Sequence, residues 1–221
     1  MSYILNIETA TKNCSVSLAN EGKTLLYREI AELGYSHAEK LHVFIGTLIQ
    51  EAGISFQDLK AIAVSKGPGS YTGLRIGVSA AKGFCYALGI PLIALDTLAI
   101  LAQQVQVNSG LIIPMIDARR MEVYSAVFDA NHAKIVEVQA EILTTESYAK
   151  ANEPIYIVGD CQDKCQTVLT QSHINFIADV QFPSAQDMSS LSYSKFLSQQ
   201  FEDVAYFEPF YLKDFLLTKK S

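Results

Sequence analysis

Apolar residues along this chain recur with two periods, and the change from one to the other divides it into elements. Residues 3–10 are apolar apart from Asn6 and Glu8 near their end, 15–19 alternate, and 24–30 follow a turn at Asn20-Glu21-Gly22-Lys23. Short runs joined by tight turns predict an antiparallel three-stranded meander. Leu41, Phe44, Ile45, Leu48, Ile49 and Ala52 then recur at helical spacing. Ser36 with Glu39 three residues on makes a capping box at the start of that helix, and Gly53 ends it. The run Ala61-Ile62-Ala63-Val64 predicts a buried strand, 73–88 a helix rich in small residues, 91–95 another buried strand and 97–107 a helix. The second half repeats the opening, with strands over 111–116, 122–129 and 133–139, a helix over 144–151 and a strand over 154–158. Helices over 161–170 and 188–199 and an extended aromatic tail over 207–213 complete it. Two pseudo-duplicated α/β units are expected, 1–108 and 109–221.

Between the strand at Ala61 and the helix that follows lies Gly67-Pro68-Gly69-Ser70-Tyr71-Thr72-Gly73-Leu74-Arg75-Ile76-Gly77. Glycine and proline make this a tight strand-to-helix turn, and the first helical N–H groups lack internal partners, so such a turn can cradle an anion. Its spacing matches neither the Walker loop nor the dinucleotide fingerprint. A structural turn and an anion site with Gly67, Gly69, Ser70, Thr72 and Gly73 as candidate residues both stand.

The whole string is more specific than its glycines. It resembles the loop of the TsaD/TsaB family, ATPase-like proteins of the actin, hexokinase and Hsp70 superfamily that make threonylcarbamoyladenosine in tRNA, and its Ser-Tyr-Thr-Gly-Leu-Arg continuation resembles the TsaB branch. Ile4-Leu5-Asn6-Ile7-Glu8-Thr9-Ala10 is similar to the family's opening strand, Asp117-Ala118-Arg119-Arg120-Met121-Glu122-Val123-Tyr124 to its "DAR…EVY" segment, and Phe210-Tyr211-Leu212-Lys213 to its C-terminal ending. Between 130 and 207 the match is diffuse. The resemblance implies an α/β fold of two RNase H-like domains. It also implies a non-catalytic subunit that binds a TsaD-like catalytic partner and works with a TsaE-like ATPase, pairing with itself when alone and meeting tRNA only through the complex. An ATP-dependent transferase or a metallopeptidase-like enzyme in its own right is the alternative.

The metal histidines separate these readings. Catalytic relatives hold their metal partly with a His-x-x-x-His pair, and Thr97 and Leu101 stand at the matching positions here. Neither replaces imidazole, so no metal, no cofactor and no catalytic residue is expected. His37 and His42 point about 140° apart on a helix and cannot share a metal; His132 and His173 are solitary. Ser70, Ser79 and Cys85 have no His in a recognisable motif. Glu8 reads either as a metal-side carboxylate or as an acid capping the next turn, and Asp117, Arg119, Arg120 and Glu122 as a local ion-pair set or a partner contact.

Composition narrows the picture further. A net charge of −6 over 221 residues argues against a broad nucleic-acid footprint. Cys14, Cys85, Cys161 and Cys165 form no C-x-x-C pair and are expected as buried free thiols. No run reaches membrane-spanning length and no basic leader opens the chain, so a cytoplasmic protein is expected. The small and apolar surplus on the two first-half helices, together with the resemblance, points to a partner interface over Phe44, Ile45, Leu48, Gly77, Ala80, Ala81 and Phe84.

Overall fold

The computed structural model describes residues 1–31 and 37–213. The first three strands, β1 (Tyr3–Glu8), β2 (Asn13–Asn20) and β3 (Lys23–Ala31), form the expected antiparallel meander. Strand β4 (Leu59–Gly67) then pairs in parallel with β1, and β5 (Leu92–Asp96) with β4, giving the order β3-β2-β1-β4-β5. Its central strands are buried on both faces, which is why β1 reads as a continuous apolar run, whereas β3 at the edge alternates half-buried and exposed positions.

Two helices cover one face. Helix α1 (His37–Glu51) lays Leu41, Ile45, Leu48 and Ile49 on Leu5, Ile7, Val16 and Leu18. Helix α2 (Tyr71–Leu88) adds Val78, Ala81 and Cys85 to the same core. Ser70 caps α2 by accepting from the Gly73 N–H at 3.3 Å, and Gly89 ends it in the left-handed conformation at φ 66°. The anticipated capping residue of α1, Ser36, lies outside the described residues.

The other face meets the rest of the molecule. Helix α3 (Thr97–Ala102) is shorter than the 97–107 expected, because Gln103 and Gln104 close it with short-range turns. Its Ile100 packs with Ile4, Ala61 and Ile93, while Leu98, Leu101 and Ala102 pack with Ile112, Ala126 and Phe128 of the second sheet. That sheet comprises β6 (Leu111–Asp117), β7 (Glu122–Asp129), β8 (Lys134–Ile142), β9 (Ile155–Val158) and β10 (Ile174–Phe176), in the order β10-β9-β6-β7-β8. An antiparallel meander followed by two parallel strands beside its first member is the connectivity of the first sheet over again.

The second half departs from the pattern in its helices. Residues 144–151 form turns rather than a helix: Tyr148 takes φ 60°, which interrupts helical geometry, and its hydroxyl donates to the Glu141 carboxylate. Only Gln162–Cys165 of the expected 161–170 helix forms, as α4. The three-residue β10 carries too short an alternation to be visible in the sequence. The last helix, α5 (Ser189–Leu197), follows a short 3-10 turn at Ala185–Met188. Both return to the first sheet, where Ala185 and Met188 pack on Ile4, Ala61 and Ile93.

Candidate functional site

The glycine loop is stitched to the turn after β1. Gly67 sits at φ 118°, the left-handed side of the map, and the Phe210 carbonyl lies 2.5 Å from where its Cβ would stand. Gly69 has no such torsion; what demands glycine there is the Ala10 carbonyl, 2.3 Å from the position of a Cβ. The Ser70 N–H donates to that same carbonyl at 2.6 Å, and the Thr9 hydroxyl donates to the Gly73 carbonyl at 2.7 Å. Of the anion-site candidates Gly67, Gly69, Ser70, Thr72 and Gly73, the amides of Ser70 and Gly73 are therefore spent inside the chain. The tail passes over Gly67, where the Phe210 N–H donates to the Lys66 carbonyl at 2.7 Å. Tyr211 continues this cover, its ring 5.0 Å from that of Tyr71 and its hydroxyl accepting from Arg75 at 3.1 Å.

Glu8 ends β1 beneath this loop and is fully buried. Burial pushes its carboxyl up to about 7, against the opposing pull of the Ala10 N–H and the Ser65 hydroxyl. One oxygen accepts from the Ala10 N–H at 2.5 Å, the contact that the capping reading requires. The other has no partner of hydrogen-bonding geometry, and neither does the Ser65 hydroxyl. Asp96, at the end of β5, is the opposite case. Burial disfavours its charge, but Lys134 at 2.5 Å and Lys66 at 3.1 Å hold its carboxyl below the usual range. This bridge ties β4 and β5 to β8 of the second sheet.

Thr97 and Leu101, at the positions of the metal histidines of catalytic relatives, are both buried. Leu101 belongs to the core between the two sheets. Among the described residues no three His, Cys, Asp or Glu converge. His37, His132 and His173 each place Nε2 against a backbone carbonyl, of Thr11, Val105 and Tyr148, at 2.8–3.1 Å. His37 is buried where α1 begins.

In the second half the turn at 117–122 is organised by residues that spacing did not reveal. Asp117 accepts from the Arg119 N–H at 2.9 Å and from the Lys164 ammonium, which also donates to the carbonyls of Arg120 at 2.9 Å and Glu122 at 2.7 Å. Asp160 accepts from the Asp117 N–H at 2.9 Å, and Lys213 pairs with Glu122. The expected ion-pair set within Asp117, Arg119, Arg120 and Glu122 is thus corrected: the acids pair with distant lysines. Arg119 and Arg120 take left-handed φ of 72° and 53°, and both are exposed. Asp160 was findable as the residue after a strand-ending glycine; the lysines come from α4 and the tail, and no local pattern marks them.

The helix pair divides the expected interface residues. Ile45, Leu48, Gly77 and Ala81 are buried within the chain itself: Ile45, Leu48 and Ala81 lie in the core over the sheet, and a Cβ on Gly77 would stand 2.2 Å from the Thr9 hydroxyl. They are core residues and not surface. Phe44, Ala80 and Phe84 are half-buried at its margin. The outward face carries instead Val43, 61% exposed, and Tyr86, 87% exposed. Gly46 and Gly83 leave open space beside them. His42 lies across from Phe84, ring centroids 6.1 Å apart, and Phe84 stacks on Phe56 at 5.5 Å. Two large apolar side chains on a face that has already buried its apolar stripe are a surplus that core packing does not use.

Comparison with known proteins bears on the family and the fold. The family model described as TsaD: tRNA N6-adenosine threonylcarbamoyltransferase matches residues 31–210. The tRNA threonylcarbamoyladenosine biosynthesis protein TsaB of Escherichia coli (strain K12) is 29% identical over 226 residues, covering 98% of this chain and 97% of that protein. The protein of the same name from Buchnera aphidicola subsp. Schizaphis graminum is 30% identical over 152 residues, 68% of this chain and 70% of its own length. The solved YeaZ from Pseudomonas aeruginosa superposes with a TM-score of 0.82 at 27% identity, covering 96% of this chain and all of that one. The ethanolamine utilization protein EutJ from Carboxydothermus hydrogenoformans, with a TM-score of 0.55 at 10% identity, shares the fold alone. With its twice-built sheet, its closed glycine loop and these relatives, the chain belongs to the TsaD/TsaB family, actin-like in fold, and within it to the TsaB (YeaZ-type) branch.

Proposed function

We propose that this chain serves threonylcarbamoyladenosine biosynthesis in tRNA as a non-catalytic subunit in the cytoplasm. Curated relatives along its whole length are named for that pathway. In this reading it binds a TsaD-like catalytic subunit through the outward face of α1 and α2, works with a TsaE-like ATPase, and meets tRNA only through the assembly. The same face pairs two copies when the chain is alone. No described helix is long and apolar enough to cross a membrane.

The observation that carries the proposal is the exposure of Val43 and Tyr86 on helices whose other stripes are already packed. Against an enzyme in its own right stand Thr97 and Leu101, packed in the core at the metal-ligand positions, and a glycine loop closed by its own tail.

The test places a charge on this face without touching the core. Val43→Glu and Tyr86→Glu should leave the melting temperature near that of the parent. Each should cost roughly 2–4 kcal/mol of association by stranding a charge in a dry interface. Co-purification with the TsaD-like subunit and reconstituted tRNA modification should then fail together. Pairing that survives both substitutions would mean the wrong face; pairing lost with modification retained would remove the supporting role.

A further inference from the structure

Three sulfur atoms converge beneath the 117–122 turn. Cys161 and Cys165 lie one turn apart at α4, Sγ to Sγ 3.4 Å, and the Met115 thioether of β6 is 3.8 Å from Cys165 Sγ. All three residues are at most 3% exposed. Their arrangement is fixed by backbone. Gly159, at φ 124°, turns β9 into α4 so closely over β6 that the Met115 carbonyl lies 1.8 Å from where a Cβ would stand. Cys161 Sγ rests 3.4 Å from that same carbonyl.

Two chemistries compete for such a pair. A disulfide needs sulfurs at about 2.05 Å and Cβ atoms about 3.5–4.5 Å apart. Residues four apart on a helix keep their Cβ atoms at about 5–6 Å, so bonding would require α4 to unwind. Chelation needs no such movement. Metal–sulfur bonds of about 2.3 Å put sulfurs around a three-coordinate ion about 4 Å apart; Met115 and Cys165, at 3.8 Å, already stand close to that, and the two cysteine sulfurs, at 3.4 Å, need only a side-chain rotation to open to it. The donor set selects the ion. No third His, Cys, Asp or Glu joins the pair among the described residues, and two thiols with a thioether suit soft Cu(I) rather than zinc or a hard cation. Two thiolates and one monovalent cation leave one negative charge. Lys164, between the cysteines in sequence, favours the thiolate form of both, while Asp160 opposes both and Asp117 opposes Cys165.

We propose that Cys161, Cys165 and Met115 form a binding site for one soft monovalent cation of the Cu(I) class. The ion enters as Cu(I), two Sγ–H protons leave to solvent, and no electron changes hands. The cysteine spacing alone carried no metal register; the third ligand comes from another strand.

The test is an anaerobic titration of the full chain against Cu(I) held by bicinchoninate, followed by the loss of the chelate's colour. One Cu(I) per chain should transfer. Cys161→Ala and Cys165→Ala should each weaken uptake about a hundredfold, and Met115→Leu, close to isosteric and therefore decisive if a cysteine variant fails to fold, about tenfold. X-ray absorption should count three sulfurs in the parent and two in Met115→Leu, while Cys14→Ala and Cys85→Ala should change neither reading. Absence of transfer, uptake that persists in folded Cys165→Ala, or a parent with fewer than three sulfurs would each overturn the site.

Discussion

At the end of β4 the chain turns through Gly67 and Gly69 into a helix of 18 residues; at the end of β9, the equivalent strand of the second sheet, it turns through Gly159 into a helix of four. In both turns a carbonyl at the end of the neighbouring strand or just beyond it, Ala10 or Met115, occupies the space a side chain would need. The carboxylate beside each turn differs. Glu8 is buried with no cation and held near neutrality by desolvation, whereas Asp117 is exposed and gripped by Lys164. One backbone solution thus serves two ends. The first half extends it into a long helix with an unused apolar face. The second spends it on a short one that locks a charged turn.

The largest effect should come from removing what the second half returns to the first. A chain ending at Phe182 keeps both sheets and Ile100 but loses Ala185, Met188 and α5 from the cover of Ile4, Ala61 and Ile93. Urea denaturation should show no cooperative transition for the first sheet; a single unchanged transition would make the two halves independent. Next come the turns themselves. Gly159→Val adds left-handed strain to a clash and should cost roughly 4 kcal/mol or more, and Gly69→Val, a clash alone, roughly 2–4 kcal/mol. An equal loss in the two, by denaturation midpoint, would show that torsion adds nothing.

Glu8 separates the halves by pH. Its folded value of about 7 lies above the ordinary 4.5. The protonated form is therefore the one the fold prefers; the stability it contributes is full below 4.5 and is lost as pH rises through 7. At about 1.4 kcal/mol per pH unit, Glu8→Gln should stabilise by roughly 3–4 kcal/mol at pH 8 and by nothing at pH 4. A melting difference that does not change with pH would show that Glu8 is already hydrated or paired. Smallest of all, Gly83→Ala on the open face of α2 should add roughly 0.5–1 kcal/mol in the isolated chain. A loss instead would mean that something already packs against that glycine.

The strands were legible because buried apolar runs and turn residues mark them directly; 122–129 was placed to the residue. Of the helices of the second half only the last was, expected over 188–199 and found at Ser189–Leu197. Cys161 to Thr170 has helical spacing, but after Cys165 the chain turns away with bonds from Thr167 and Val168 to Lys164 and Cys165. Tyr148 leaves helical torsions to reach Glu141. At the site, sequence placed the loop, Glu8 and the two helices, but not which helix faces look outward. Ile45 and Ala81 carry the same residue types as any interface, and only their position over the sheet shows them to be core. Lys164 and Lys213 could not be anticipated, because long-range ion pairs leave no period in the chain.

The return of Ala185 and Met188 to the first sheet also orders events in time. A chain leaving the ribosome at about 5–20 residues per second finishes β5 well before those two residues exist. For on the order of ten seconds the first sheet stands with one face packed under α1 and α2 and the other, lined by Ile4, Ala61 and Ile93, covered only by Ile100 of α3. During translation, then, the nascent chain presents its greatest apolar surface in its middle period. A holding chaperone would have the most to act upon there, and slow codons between residues 96 and 188 would lengthen that period.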